Sequence, residues 1–132
     1  MGENNKAILK AFLKASENQD EVSMREFLDP EIEVVEAESL PYGGIHRGVD
    51  AFLQLIPKVF GTWRDCEVSI QNWVSEGDHV ITLATMSGYG RSTDLPFKVP
   101  IAEVWTFRKG KIVRVMPYYF DTVMMCKAAG SS

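Results

Sequence analysis

The apolar residues of this chain change their spacing part-way along, and that change constrains the fold more than any other feature. Up to about residue 60 they recur every three or four positions, as in helices; from Asp65 onward they alternate, as in strands. Ile8, Ala11, Phe12 and Ala15, widened by Leu9 and Leu13, predict a helix over Asn5–Asn18. Ser23 and Glu26 have capping-box spacing, with Val22 and Phe27 at the positions of a hydrophobic staple. A short second helix is therefore expected there, stopped by Asp29-Pro30. Glu31–Ala37 alternates, with Ile32 and Val34 on one face, and predicts a short strand. Ser39–Gly48 reads as turn. Val49, Phe52, Leu53, Ile56, Val59 and Phe60 then form a third helical stripe, which Pro57 is expected to kink or end and Gly61 to follow.

After the switch four strands are predicted, Asp65–Ser75, His79–Tyr89, Phe97–Arg108 and Lys111–Tyr119. Their separators, Glu76-Gly77-Asp78, Gly90–Pro96 and Lys109-Gly110, are hairpin connections, so the strands form an antiparallel meander. Asp121 is placed to cap a final helix reaching Lys127, and Gly130-Ser131-Ser132 reads as a frayed tail. Helices followed by a meander make an α+β fold. One apolar face on each helix, packed on one face of a curved sheet, encloses a cone with an open mouth.

Size and charge narrow the function. With 132 residues, one domain is expected over 1–132, its core about 5–127. Fourteen basic residues against eighteen acidic ones give a net charge of −4, which argues against binding to nucleic acid or to an anionic membrane. No apolar run approaches the ~20 residues of a membrane span, and Met1–Lys6 has no apolar signal core. Cys66 and Cys126 match no metal or redox spacing. The expectation is a cytoplasmic protein with two reduced thiols.

Strand parity points to the residues that carry chemistry. Phe97, Val99, Ile101, Trp105 and Phe107 share the apolar face of one strand, and Glu103 stands in their midst. An ionised carboxylate there needs a partner or a raised pKa, so Glu103 either faces a cavity or is satisfied by a buried hydrogen bond. Glu36 and Glu38 share the parity of Ile32 and Val34, so both point inward if that strand continues. Tyr118 and Tyr119 alternate, so only one faces inward. Tyr42, Phe60, Trp63, Trp73 and Trp105 are core aromatics of which some should line a pocket. His46 lies in the turn at the cavity lip, and His79 is read as a surface residue. Neither has metal-ligand spacing, so no metal site is expected.

The order of elements resembles the NTF2-like superfamily, in particular its SnoaL-like and ketosteroid-isomerase-like branch. The residues that carry the resemblance are Leu40-Pro41-Tyr42-Gly43-Gly44 with Arg47-Gly48, and Glu103-Val104-Trp105-Thr106-Phe107 through Gly110-Lys111-Ile112 to Tyr119 and Asp121. The resemblance implies a cone with a deep cavity, a homodimer through the sheet, and no cofactor or metal. It also implies an acid/base role near Glu38, or at Glu36, and one near Asp121, which competes with the capping role. It departs from the steroid isomerases in offering no second buried acid to pair with a tyrosine as an oxyanion site. Tyr118 stands where epoxide hydrolases of this fold carry an aspartate.

Two functions follow. In the first, the cone binds a small hydrophobic carbonyl compound, and Glu103 or Glu36 moves a proton beside the carbonyl while a tyrosine hydroxyl stabilises the enolate, as in an isomerase or polyketide cyclase. In the second, the same cone is a non-catalytic module that holds a ligand or docks a partner.

Overall fold

A computed structural model of the chain describes residues 2–130; Met1 and the tail residues Ser131 and Ser132 lie outside the described residues. The elements are α1 (Gly2–Glu17), α2 (Glu21–Phe27), β1 (Leu28–Glu36), β2 (Gly44–Arg47), α3 (Val49–Thr62), β3 (Trp63–Glu76), β4 (His79–Gly90), β5 (Pro96–Arg108), β6 (Lys111–Tyr119) and α4 (Thr122–Ala129). One sheet runs in the order β2-β1-β6-β5-β4-β3. Strands β3 to β6 are the expected antiparallel meander. β1 lies parallel beside β6, and β2 pairs antiparallel on its outer side. The result is α+β, a curved and unclosed sheet with helices packed into its hollow.

Phe12 ties the helical layer to the sheet. Its ring makes edge contacts with Phe27, Phe52 and Trp105 at 6.3, 5.8 and 5.9 Å, joining α1 to α2, α3 and β5. The buried stripe of α1 is Leu9, Phe12 and Ala15; Ala11, expected within it, is exposed. On β5 the buried residues are Phe97, Val99, Ile101, Trp105 and Phe107, the parity expected. β4 contributes Val80, Thr82, Ala84 and Met86 to the same inner face. Register breaks in β3 between Arg64 and Glu67 and between Ile70 and Asn72 bend it around the helices.

Several boundaries differ from expectation for local reasons. α2 is capped by Asp20, not Ser23: the aspartate accepts the Ser23 backbone N–H at 3.2 Å and its hydroxyl at 2.6 Å. Val22 is 75% exposed, so no staple forms. α3 runs through Pro57 and Gly61 to Thr62, with Pro57 on its exposed side. β2 lies where the sequence reads as turn, because four residues are too few to show alternation. It pairs with β1 from Glu33↔Arg47 to Glu36↔Gly44, between glycines at φ 105° and 94°. No helix among the described residues is long and apolar enough to cross a membrane.

The loop from Ala37 to Gly43 folds back on itself. A Cβ on Gly43 would lie 2.3 Å from the Ala37 carbonyl oxygen, closer than any real contact. Gly43→Ala is therefore expected to destabilise the protein by about 1–3 kcal/mol, the range for forced overpacking. Gly44→Ala meets nothing within 4 Å and bears only the strain of its φ of +105°, so it should cost about 1 kcal/mol. Urea midpoints of the two variants check the order; a larger loss at Gly44 would contradict the crowding argument.

Candidate functional site

The inner face of the sheet and α3 enclose a cavity of about 210 Å³. Val34, Ile101, Trp105, Val115, Phe52 and Leu55 give it apolar walls. Phe60 and Val68 also line it and are 52% and 45% exposed, which marks the mouth between the end of α3 and β3. Two carboxyl groups face into it, Glu36 and Glu103.

Glu36 is the last residue of β1 and continues the buried alternation of Ile32 and Val34. Its Oε1 accepts a hydrogen bond from the Tyr119 hydroxyl at 2.7 Å. Burial pushes its pKa from 4.5 up to about 7; the Tyr119 bond opposes the rise, and the charge of Glu103 adds to it. Glu103 lies in the middle of β5, between Thr82 of β4 and Pro117 of β6. Its Oε1 accepts from the Thr82 hydroxyl at 2.9 Å. Burial raises this pKa too, with the Thr82 bond opposing. Although protein surrounds it closely, part of Glu103 stays open to the hollow. No Lys, Arg or His is among the described residues that line the cavity, so no cation offsets the burial of either acid.

Of the candidates read from sequence, the cavity brings together Glu36, Glu103, Phe60, Trp105 and Tyr119. The other six lie elsewhere. Glu38 is exposed in the turn after β1, because the strand ends at Glu36 and the alternation stops with it. Tyr42 and Trp63 are buried but form a layer behind the cavity wall, where Trp63 Nε1 donates to the Tyr42 hydroxyl at 2.9 Å. His46 is not at the lip: it sits on β2, its Nε2 bonded to the Tyr42 carbonyl oxygen at 2.8 Å, so that nitrogen carries the proton. Tyr118 is 54% exposed on the outer face of the sheet.

Asp121 also stands outside the cavity. Its Oδ1 accepts the Met124 N–H at 3.0 Å as the N-cap of α4, so of its two readings the geometry supports capping. His79 is exposed and hydrogen-bonded to Thr106, and Trp73 lies under the Lys10 ammonium. Two acids share the hollow, Glu36 and Glu103, and the inward tyrosine, Tyr119, donates to Glu36. Sequence reasoning missed Thr82, although its signal was of the same kind as that of Glu103. It is the one polar residue among the inward positions Val80, Ala84 and Met86. It also missed Cys66, a lining thiol that burial pushes up to about 11 and so keeps protonated. Among the described residues no three His, Cys, Asp or Glu side chains converge to hold a metal ion.

The model of the SnoaL-like domain family matches residues 9–115. The chain belongs to the SnoaL-like domain family. Solved structures agree with that assignment in fold. An NTF2-like protein from Burkholderia xenovorans is 25% identical, with a TM-score of 0.87 over 98% of each chain. TerC, co-crystallised with polyporic acid, is 19% identical, with a TM-score of 0.83 over 97% of this chain and 99% of its own. A putative SnoaL-like polyketide cyclase from Jannaschia is 17% identical, with a TM-score of 0.80 over 97% of this chain and 93% of its own. No curated protein matches the sequence. The SnoaL-like and NTF2-like fold includes polyketide cyclases and isomerases.

The two acids of this SnoaL-like domain make its stability depend on pH with a definite sign. Unfolded, Glu36 releases its proton near 4.5; folded, it holds the proton to about 7. Between those values the native state binds more protons, so stability is lost as pH rises through that window, by about 3 kcal/mol for Glu36. Glu103 acts in the same direction. Urea titrations at pH 5 and pH 8 should show the wild type weaker at pH 8, and Glu36→Gln should reduce that difference, leaving the part that Glu103 contributes. An equal difference in the variant would show that the acid responsible lies elsewhere.

Proposed function

We propose that the protein is a cofactor-independent catalyst of proton transfer on a compact hydrophobic carbonyl compound, of the isomerase or polyketide-cyclase kind. The observation that supports this most is the pair of inward carboxyl groups with upward-shifted pKa values in one apolar cavity. Glu36, with a pKa of about 7, is partly ionised at neutral pH, where a general base works best. Glu103 stays protonated and is the acid. Thr82 bonds to one of its oxygens, and in the proposed reaction the O–H on the other meets the ligand. Glu36 takes a proton from the carbon beside the carbonyl, and the Glu103 O–H stabilises the enolate oxygen. Return of the proton at another carbon isomerises the substrate, while attack of the enolate on a second carbonyl closes a ring. A cavity with two acids and no cationic side chain among its described lining residues rejects carboxylates and phosphates, so the substrate is neutral where it enters. Its volume suits one or two small rings. The co-crystal of TerC with polyporic acid lends support, since that protein shares the fold.

Hydrogen–deuterium exchange next to the carbonyl of bound cyclic ketones, followed by NMR in D₂O, tests the reading without knowledge of the natural substrate. Exchange faster than buffer alone is expected, with Glu36→Gln about 100-fold slower or more. A ketone that binds without accelerated exchange would favour the second reading, a non-catalytic ligand-binding module. That reading gains from the Tyr119 hydroxyl, which is held by Glu36 and not offered to a ligand.

We also propose that two copies pair through the outer face of the sheet. Leu83, Val74, Tyr118 and Phe120 are exposed there at 40%, 47%, 54% and 83%, on the side where a single-layer sheet is ordinarily polar. A shallow depression of about 580 Å³ lies among Leu83, Pro100, Ala102, Tyr118 and Phe120. Sedimentation at micromolar concentration should give a dimer, and Leu83→Lys a monomer; a monomeric wild type would refute the pairing. Two unpaired thiols fit a reducing compartment such as the cytoplasm.

A further inference from the structure

The cavity holds two acids with nothing to balance their charge, and that imbalance points to a ligand that supplies the balance. Glu36 and Glu103 both line the hollow, and each accepts from one neutral hydroxyl, Tyr119 at 2.7 Å and Thr82 at 2.9 Å. A hydroxyl gives a carboxylate a hydrogen bond but no countercharge. No Lys, Arg or His is among the described residues that line the space, so positive charge inside it must arrive with a ligand.

The rest of the lining selects the kind of cation. Four aromatic side chains, Phe52, Phe60, Trp105 and Tyr119, share the walls with the two acids. Aromatic rings attract cations, and the attraction grows once the cation has lost its water. A primary ammonium group is compact and strongly hydrated, so it gives up its water at high cost in an apolar enclosure. A metal ion fits no better, since among the described residues no three acid, His or Cys side chains converge on one point. A tertiary or quaternary ammonium spreads its single charge over alkyl groups, which suit the apolar walls while the charge suits a carboxylate. The net charge of −4 also draws cations to the protein from solution.

We propose that the cavity binds a small hydrophobic organic cation, a tertiary or quaternary ammonium, with Glu36 as its counter-ion and the aromatic walls as its enclosure. The inference goes beyond proton transfer. It uses the same hollow, requires no reaction there, and makes such a cation a competitor of the neutral carbonyl compound rather than a substrate. One positive charge is matched by one carboxylate, and Glu36, with a pKa of about 7, is already partly ionised at neutral pH.

The titratable groups around Glu36 are Glu103 on β5, Tyr119 on β6, Tyr42 in the loop before β2, and Cys66 on the β3 wall of the cavity. His46 on β2 is bonded to the Tyr42 carbonyl oxygen and is not a lining residue, and α1 and α3 line the hollow with no titratable side chain. Burial raises both tyrosines and Cys66, so all three stay neutral at the pH values of the test. A permanent cation pairs only with ionised Glu36. Its affinity therefore falls as pH drops through 7 and levels off above it.

The experiment is calorimetric titration of the wild-type protein with two probes of one shape, choline and the neutral alcohol in which a tert-butyl group replaces its trimethylammonium. At pH 8 choline should bind about tenfold tighter than the neutral probe, or more, and should lose about tenfold in affinity between pH 8 and pH 6. The neutral probe should change little. At pH 7 choline should release about half a proton, read from the heats in two buffers of different ionisation enthalpy. Glu36→Gln should bring choline close to the neutral probe and flatten its pH profile; the wild-type comparison carries the test if that variant fails to fold. Equal affinity for the two probes, choline affinity that ignores pH, or binding of neither at millimolar concentration overturns the proposal. Choline binding without accelerated ketone exchange supports the proposal and counts against proton transfer. Ketone exchange without choline binding does the reverse.

Discussion

The difficulty of ionising a carboxyl group away from water governs this molecule. An isolated charge in an apolar enclosure costs several kcal/mol, and proteins usually meet that cost with a cation. Here the enclosure holds two acids, with no cation among its described lining residues and one hydroxyl donor for each acid. Both groups therefore hold their protons more tightly than an exposed glutamate does, and the charge of one hinders the other. On the proposed function, the same physics that makes ionisation unfavourable for folding supplies the base and the acid of the reaction.

The hollow itself works against stability. At about 24 cal/mol for each Å³ of void, an empty space of 210 Å³ would forfeit about 5 kcal/mol, comparable with the whole stability of a small domain. The fold keeps the space open because its walls are fixed from behind. Phe12 wedges α1 against Trp105 and Phe52, and Trp63 packs on Phe97 with centroids 4.4 Å apart. Side chains locked in this way cannot collapse inward to fill the gap.

Much of this was legible in the sequence because strand geometry is periodic. On β5 and β1 the two-residue period fixes which side chains share a face, and that was enough to turn Glu103 and Glu36 inward with no knowledge of their partners. The same rule left Tyr118 and Tyr119 as alternatives and required the hydrogen bond to Glu36 to separate them. It failed where a strand ends: Glu38 had the right parity, but β1 stops two residues before it. Parity also says nothing about depth. Tyr42 and Trp63 are inward and aromatic, yet they stand one layer behind the surface that a ligand could touch. The short strand β2 was invisible because four residues are too few to show alternation; its pairing depends on β1 and on the turn geometry of Gly44 and Gly48.

Membership of the SnoaL-like family leaves the division of labour among these groups open, and the hydrogen bonds bear on it. A tyrosine donating to the substrate oxygen with a carboxylate as base is the simplest arrangement to expect from the residues alone. In this cavity the inward tyrosine is already committed to the carboxylate at 2.7 Å. On the proposed reading the donor to the substrate oxygen is the other acid, and Glu103 serves only if it keeps its proton. Its position supports that: it is enclosed on the strand face between Thr82 and Pro117, with a single hydroxyl bonded to one oxygen. On this reading the tyrosine tunes the base and the second glutamate takes the place of the tyrosine. The inversion depends on one threonine, because Thr82 donates to one oxygen of Glu103, a residue that lines the hollow.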